Sequence, residues 1–153
     1  MPRPLEICIE ELNGSREEEP FIRCVALPGG EPGLSLDREG QVRWMPDEAG
    51  DYGLWVSADD RLVLLRGEGA GPAVVERQSR SLEAPVGQPV ILLDEDVLVI
   101  DGRRLMVHFH GETEVVREPE RLSRSALGQL ARAAAVAASL ALGGTAAMAA
   151  GTG

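Results

Sequence analysis

Lysine is absent from this chain: all fifteen basic residues are arginine, against 25 aspartate and glutamate residues, and the formal net charge is −10. Aromatic residues make up only 3% of the sequence. An acidic protein repels the phosphates of nucleic acids, and so few aromatic rings offer little surface on which bases could stack. We therefore expect no nucleic-acid partner, and a core built mainly from aliphatic side chains.

Motifs of common enzymes are also lacking. The sequence contains no G-x-S-x-G, no glycine-rich phosphate-binding loop, no H-E-x-x-H and no Cys/His zinc spacing. The protein is therefore predicted to be non-catalytic and to use no cofactor. A Ser-His-Asp triad leaves no local signature, so a hydrolytic or metal-dependent enzyme that uses His108 or His110 stays an alternative.

Only two cysteines are present, Cys8 and Cys24, in different predicted strands. Two cysteines do not make a disulfide scaffold. We expect buried free thiols, with a single disulfide as the alternative. The N-terminal stretch "MPRPLEICIEE" has no apolar run of the kind found in signal peptides, and the body of the protein is expected to be cytoplasmic.

Short apolar runs separated by Gly, Pro and Asp fill the first 118 residues, and they recur about every 8–12 residues, as in all-β sandwiches and barrels. The sequence predicts one antiparallel β-sandwich over residues 3–118. The eleven candidate strands are Leu5–Glu10, Phe21–Leu27, Gly33–Leu36, Gln41–Met45, Gly53–Ser57, Arg61–Arg66, Ala73–Arg77, Pro89–Leu93, Val97–Ile100, Arg103–His110 and Thr113–Val116.

The clearest hairpin is "VLVIDGRRLMVHF", in which Asp101-Gly102 joins two apolar runs. A two-residue type I′ turn needs positive φ at both central residues, and Asp-Gly adopts it readily. Because side chains alternate along a strand, Leu105 and Val107 should face the core while His108 and His110 face solvent. The apolar run in "RLVLLR" indicates a strand that is buried on both faces.

The stretch Leu82–Gly111, "LEAPVGQPVILLDEDVLVIDGRRLMVHFHG", resembles the closing strands of a forkhead-associated (FHA) domain. In that family an apolar strand, an acidic turn, a short "x-I-x-I-G" strand and a final "L-x-V" strand follow one another. The resemblance implies an eleven-stranded sandwich that recognises proteins. The phosphothreonine pocket of the family needs a Ser-x-x-His motif and a loop asparagine. This chain has no Ser-x-x-His, and its only asparagine is Asn13, so no phosphopeptide-binding residues are carried over.

A second stretch, Gly33–Asp60, resembles bacterial immunoglobulin- and cadherin-like modules, which carry "G-x-[IV]-x-W-x-P" followed by "A-G-x-Y". Tyr52 would then form a tyrosine corner, its hydroxyl bonding to upstream backbone and tying the two sheets together. Leu54 stands where an antibody domain has a cysteine. The simplest interpretation is a buried cluster of Trp44, Tyr52 and Trp55.

The pair His108 and His110 is a weak candidate for a metal site, because i and i+2 side chains share one face of a strand. Glu112 and Glu114 would complete a His/carboxylate set. Gly111 is expected to end or bulge the strand, which would spoil the alignment, so no metal is predicted. The acidic clusters "EEE", "DDR" and "DED" lack the spacing of a calcium loop and are interpreted as solvated turns.

The composition shifts from Leu122 onwards. Residues 119–132 are predicted to be a basic linker and helix start, and residues 133–153 an Ala-rich apolar tail without a charged residue. Arg121, Arg124 and Arg132 precede the tail, and a run of this length can span a bilayer as a helix. The membrane segment would contain Ala133, Val136, Leu140, Leu142 and Met148.

Basic residues on the N-terminal side of such a segment favour a cytoplasmic body held at the inner membrane. Few strongly apolar residues are present, so insertion would gain only about 1–2 kcal/mol. A docking helix and a disordered tail stay as alternatives to a membrane anchor.

The sequence as a whole predicts a recognition or scaffolding module for a protein partner of unknown identity, tethered to a membrane through residues 133–153. Recognition would use loops or a sheet edge. The alternative is an immunoglobulin-like adhesion or assembly module outside the cell, which a Cys8–Cys24 disulfide would favour.

Overall fold

The structure is a computed structural model that describes residues 2–13, 19–29, 33–45, 51–123 and 125. These residues form an all-β protein of two antiparallel sheets. Its twelve strands, in chain order, are β1 (Leu5–Glu11), β2 (Phe21–Ala26), β3 (Leu34–Leu36), β4 (Val42–Trp44), β5 (Tyr52–Val56), β6 (Leu62–Arg66), β7 (Ala73–Arg77), β8 (Arg80–Glu83), β9 (Pro89–Ile91), β10 (Val97–Ile100), β11 (Arg103–Glu112) and β12 (Glu120–Leu122).

The larger sheet has seven strands in the order β12-β2-β1-β11-β10-β7-β8, and the smaller has five in the order β4-β3-β5-β6-β9. Every pair of neighbouring strands is antiparallel. The chain crosses between the sheets after β2, β6, β8 and β9, so the edge strands β8 and β9 follow each other in sequence.

One hydrophobic core joins the two sheets, which gives a sandwich-like arrangement. In β1, Ile7 and Ile9 lie in the core, whereas the alternating Cys8 lies outside the core cluster. The smaller sheet contributes Leu54 and Leu64, among others. As predicted, aliphatic side chains dominate this core, and Tyr52 is the one aromatic residue among its fully buried members.

The Asp101-Gly102 hairpin has the predicted geometry. Both central residues have positive φ, 50° for Asp101 and 77° for Gly102, and Ile100 pairs with Arg103 across the turn. The amide of Asn13 holds this hairpin, because its Nδ2 donates to the Gly102 carbonyl at 2.8 Å and its Oδ1 accepts from Arg104 N at 3.2 Å.

Tyr52 bonds to the connection that joins the two sheets, and not to upstream backbone as predicted. Its hydroxyl donates to the carbonyl oxygen of Gly71 at 2.7 Å, and Gly71 is downstream, in the connection from β6 to β7. The three aromatic residues do not form one buried cluster. Trp44 packs on the core, whereas Trp55 shares the opposite face of its strand with Gly53, whose added Cβ would lie 2.9 Å from the Trp55 ring.

Ten of the eleven predicted strands are present with small shifts at their ends. The eleventh, Thr113–Val116, is not a strand, and Val115 and Val116 are exposed. Two strands were not predicted, β8 and β12. Strand β12 pairs with β2 and lies inside the segment 119–132 that was expected to be a linker. The predicted Ala-rich helix falls outside the described residues.

Candidate functional site

The hairpin of β7 and β8 forms one edge of the larger sheet. Arg77 pairs with Arg80 across a two-residue turn in which Gln78 has a φ of 55°. All four residues of β8 are exposed, and β8 is the last strand of its sheet. Within the described residues, no strand pairs with the outer side of β8.

The pairing register shows which backbone groups of β8 are open. Ala84 N donates to the Ala73 carbonyl at 2.8 Å, which makes these two residues a hydrogen-bonded pair. Such pairs alternate along an antiparallel ladder, so Leu82 bonds to β7 while Ser81 and Glu83 direct their N–H and C=O groups outwards. An extended peptide could bond to these two residues.

An apolar groove of about 760 Å³ lies between β8 and the neighbouring edge strand β9. Its lining includes Val75, which is buried, Val90, which is partly buried, and Leu82 and Ile91, which are 54% and 47% exposed. Exposed apolar groups at a concave site between two sheet edges are typical of an interaction surface. Four of the eight exposed large hydrophobic residues in the described structure, Leu82, Val86, Ile91 and Leu93, lie within this short stretch of sequence.

Arg77 and Asp96 fix one end of the groove. Arg77 Nε and Nη2 donate to the two carboxylate oxygens of Asp96 at 2.9 and 2.7 Å, and Nη2 also donates to the Ile91 carbonyl at 3.1 Å. Asp96 is only 1% exposed and also accepts Leu93 N at 2.7 Å. The hydrogen bonds that Arg77 donates to the Asp96 carboxylate raise the pKa of Arg77. Arg77 belongs to the larger sheet and Ile91 to the smaller, so this side chain links the two groove walls.

Arg66 binds the connection between β8 and β9. Its Nε donates to the Ala70 carbonyl at 3.2 Å and its Nη1 to the Ala84 carbonyl at 3.0 Å. The Arg66 carbonyl in turn accepts Gly87 N at 2.8 Å. The connection between β8 and β9 is thereby bound to the end of β6, through the Arg66 side chain at Ala84 and through the backbone at Gly87.

The charge of the groove differs from that of the chain. Its described lining contains two arginines, Arg77 and Arg80, and no carboxylate, although the chain has 25 acidic residues against fifteen arginines. The charge of Arg77 is balanced by Asp96. Arg80 makes no ion pair within the described part of the chain, so its exposed guanidinium is the uncompensated charge of the groove.

The weak metal candidates His108 and His110 have different surroundings. His108 Nε2 lies 2.9 Å from Glu10 Oε1 on β1, whereas His110 is exposed. The expected irregularity at Gly111 is confirmed: Gly111 has a φ of 104°, and the register shifts where Glu6 pairs with Gly111 and Ile7 with Phe109. Among the described residues, no group of three or more His, Cys, Asp or Glu side chains is placed to hold a metal ion.

The acidic clusters take part in turns. In "DED", Asp94 accepts Phe109 N at 2.8 Å, and Asp96 holds Arg77 as described above. In "DDR", Asp59 accepts a short hydrogen bond from the Ser57 hydroxyl, and this bond lowers the pKa of Asp59. Most of the "EEE" cluster lies outside the described residues.

Cys8 and Cys24 are buried free thiols, as predicted. Ile7 pairs with Cys24 and Cys8 with Arg23, so the two sulfur atoms lie on opposite faces of the sheet and cannot form a disulfide in this register. Burial, followed by the Glu6 carboxylate, raises the pKa of Cys8 to about 11. Burial likewise raises the pKa of Cys24 well above its ordinary value.

Residues expected to carry membrane attachment are mostly not described. Arg121 lies in β12, where its Nη1 donates to the Glu19 carbonyl at 3.3 Å. Arg124 and Arg132 fall outside the described part of the chain, as does the whole segment 133–153 with Ala133, Val136, Leu140, Leu142 and Met148. The described residues contain no helix that is both long and apolar enough to cross a lipid bilayer.

Comparison of the chain with protein-family models, with curated proteins and with solved structures finds no match in any of the three. The groove is therefore interpreted from its geometry alone. Sequence reasoning missed it, because "RQSRSLE" has neither an apolar run nor the Gly or Asn that marks most tight hairpins.

Proposed function

We propose that this protein is a non-catalytic recognition module that binds an extended segment of a partner protein along β8. One observation carries the proposal: β8 is an exposed edge strand whose outer side has no partner strand in the described part of the chain, and it borders an apolar groove. Addition of a strand to an open edge is a common mode of peptide recognition, in which backbone hydrogen bonds give affinity and adjacent pockets give selectivity.

Two substitutions separate this mode from other kinds of binding. The N–H of Ser81 points away from β7, so Ser81→Pro removes an outward donor without breaking the ladder to β7. Ser81→Ala is the matched control, because it keeps that N–H. Leu82→Glu places a charge on the apolar wall, and Val116→Glu, at a residue of similar exposure that does not line the groove, controls for surface charge.

The assay is selection of linear peptides from a random displayed library on the immobilised full chain, followed by fluorescence anisotropy with the selected peptides. Ser81→Pro and Leu82→Glu should each weaken binding about tenfold or more, whereas the two controls should leave it within about twofold. Selected peptides that bind all four variants equally would show that β8 is not the site.

The family remains part of the proposal. We propose an FHA-like domain, supported by the two antiparallel sheets and by the run of β9, β10 and β11 in the stretch that resembles this family. The Nδ2 and Oδ1 atoms of Asn13 both form hydrogen bonds with the β10–β11 hairpin, so this residue is not available as a phosphate ligand. A phosphothreonine peptide should bind no tighter than its unphosphorylated counterpart.

Membrane attachment is the second half of the proposal and rests on the uncharged segment 133–153. Leu140→Arg with Leu142→Arg in the full chain tests it, since each central arginine costs about 2.5–3.5 kcal/mol, more than the expected gain of about 1–2 kcal/mol. The unaltered chain should remain with membranes after a carbonate wash, and the double variant should not. Leu140→Ile with Leu142→Ile is the control. Release of the unaltered chain by carbonate would refute the anchor.

A further inference from the structure

We infer that the segment recognised by β8 belongs to a partner protein and carries an aliphatic side chain followed, after one intervening residue, by an acidic side chain. This inference rests on the proposed function, because it assumes that β8 accepts an added strand. It goes further by specifying the chemistry and the order of the two side chains that the edge would select.

Spacing along β8 gives the first part of the pattern. Leu82 pairs with Val75 and Arg80 with Arg77, and Val75 is a core residue. Because side chains alternate along a strand, Arg80 and Leu82 lie on the groove side while Ser81 and Glu83 lie on the other. The edge therefore presents one cationic and one apolar side chain to the groove, two residues apart.

An added strand places its own side chains opposite this pair. Side chains that face each other across two strands lie about 4.5–5.5 Å apart at Cβ. One peptide residue thus lies against Leu82 and Ile91, where an aliphatic side chain removes exposed apolar surface from water. The residue two positions away lies against Arg80, which has no ionic partner among the described residues.

Charge complementarity selects an acid at that second position. The described lining contains Arg77 and Arg80 and no carboxylate, and Asp96 already neutralises Arg77. An acidic side chain would supply the missing partner of Arg80, whereas a lysine or arginine there would place like charges opposite each other. The rest of the protein is acidic and repels most acidic segments. The preference for an acidic side chain is therefore confined to the end of the groove that contains Arg80.

Direction determines the order of the two residues. All neighbouring strands in both sheets are antiparallel, and an antiparallel strand continues that pattern. Such a strand passes Leu82 before it reaches Arg80. The recognised order is therefore aliphatic, any residue, acidic. A parallel strand would require the reverse order.

A second copy of the chain fits this edge less well. Antiparallel pairing of two β8 strands with Ser81 of one against Ser81 of the other would set Arg80 against Leu82, which leaves the guanidinium unpaired. Two copies would also bring together chains that each carry a formal charge of −10. A heterologous acidic peptide satisfies both side chains.

Fluorescein-labelled nine-residue peptides that differ only at the centre provide the test, titrated into the full chain at low ionic strength. The central triplets are Val-Thr-Glu, Val-Thr-Gln, Val-Thr-Lys and the reversed Glu-Thr-Val. Binding should weaken in the order Glu, Gln, Lys, with about threefold to tenfold between the first and last, as expected for a solvent-accessible charge pair. Arg80→Glu should invert this order, and Arg80→Gln should abolish the preference.

The outcomes separate this inference from the proposed function. Binding that Ser81→Pro removes, but that shows no preference between Glu and Lys peptides or no inversion by Arg80→Glu, leaves strand addition intact and overturns the acidic motif. Tighter binding of the reversed triplet overturns the antiparallel order. Binding of no peptide below about 1 mM, or β8-dependent self-association in sedimentation velocity, overturns the inference and indicates that β8 does not receive a partner peptide.

Discussion

The ion pair of Arg77 and Asp96 should respond very differently to the loss of each partner. Asp96 is 1% exposed, whereas 44% of the Arg77 side chain is exposed. When Asp96→Asn removes the negative charge, the guanidinium can turn towards water. When Arg77→Met removes the positive charge, the Asp96 carboxylate stays buried. In the described structure, the backbone N–H of Leu93 is then the one donor left to that carboxylate.

Magnitudes follow from this asymmetry. Asp96→Asn loses charge-assisted hydrogen bonds with a partly solvated partner, and should lower the free energy of unfolding by about 2 kcal/mol. Arg77→Met leaves a buried charge without its counter-ion, and should lower it by about 3–4 kcal/mol. The double variant should cost less than the sum of the two, with a coupling energy of about 1–3 kcal/mol.

Urea denaturation at pH 7, followed by far-UV circular dichroism, is carried out on the parent, the two single variants and the double variant. It measures the two losses of unfolding free energy and the coupling energy between them. A matched control is Arg61→Met, which removes an exposed arginine with no ion pair to a described carboxylate. The reasoning is refuted if Arg77→Met is no more destabilising than Asp96→Asn, or if the two effects add. Either result would mean that water already reaches Asp96.

Three further predictions concern the body of the fold. Tyr52→Phe keeps the packing but deletes the bond to the Gly71 carbonyl, and should lower stability by about 1–2 kcal/mol and the Tm by roughly 3–6 °C in a thermal melt; an unchanged Tm would refute a structural role for that bond. Cys8, with a pKa of about 11, holds only about 0.1% thiolate at pH 8. Ellman's reagent should therefore label neither cysteine in the native chain and both in guanidinium chloride, and rapid native labelling would contradict the burial of the thiols. Burial alone would raise the pKa of Asp37, but hydrogen bonds from Gln41, Glu39 and Arg43 lower it. The ionised Asp37 therefore stabilises the fold at pH values above its unfolded pKa of about 3.9. This stabilisation is lost as the pH falls through the lower pKa of the folded state. Asp37→Asn should be less stable than the parent by about 1–2 kcal/mol at pH 7 in urea denaturation, with a smaller gap near pH 3; a gap that is constant with pH would argue against this ionisation.

Local patterns were sufficient to predict most of the fold. The Asp101-Gly102 turn and the alternation of Leu105 and Val107 with His108 are short-range features, so they could be located from a few residues. The same holds for the bulge at Gly111, because a glycine readily adopts positive φ. Strand existence was predictable wherever apolar residues alternate or cluster.

The missed strands have a different physical origin. Strand β8, "RSLE", is exposed along its whole length, and its stability comes from pairing with β7 rather than from burial of its own side chains. Strand β12 likewise pairs with β2 at the other edge. Neither strand has the apolar period that sequence reasoning detects. The predicted strand Thr113–Val116 is absent for the opposite reason. Val115 and Val116 have β propensity, but they have no surface on which to pack.

The four edge strands of the described sheets differ in how far they are open to pairing, and this difference is a further reason to place recognition at β8. Strands β4, β9 and β12 have three residues each, and β9 begins with Pro89, which has no N–H to donate. Short edges and edge prolines prevent unwanted association. Strand β8 has four residues, no proline and a two-residue turn that joins it to β7. Its polar residues Arg80, Ser81 and Glu83 oppose non-specific aggregation, while the single apolar side chain of Leu82 borders the groove. Strand β8 thus stays open for pairing and carries a charged residue on each side of Leu82 in the sequence. Such an edge is suited to binding a strand of complementary charge and to rejecting strands that lack it.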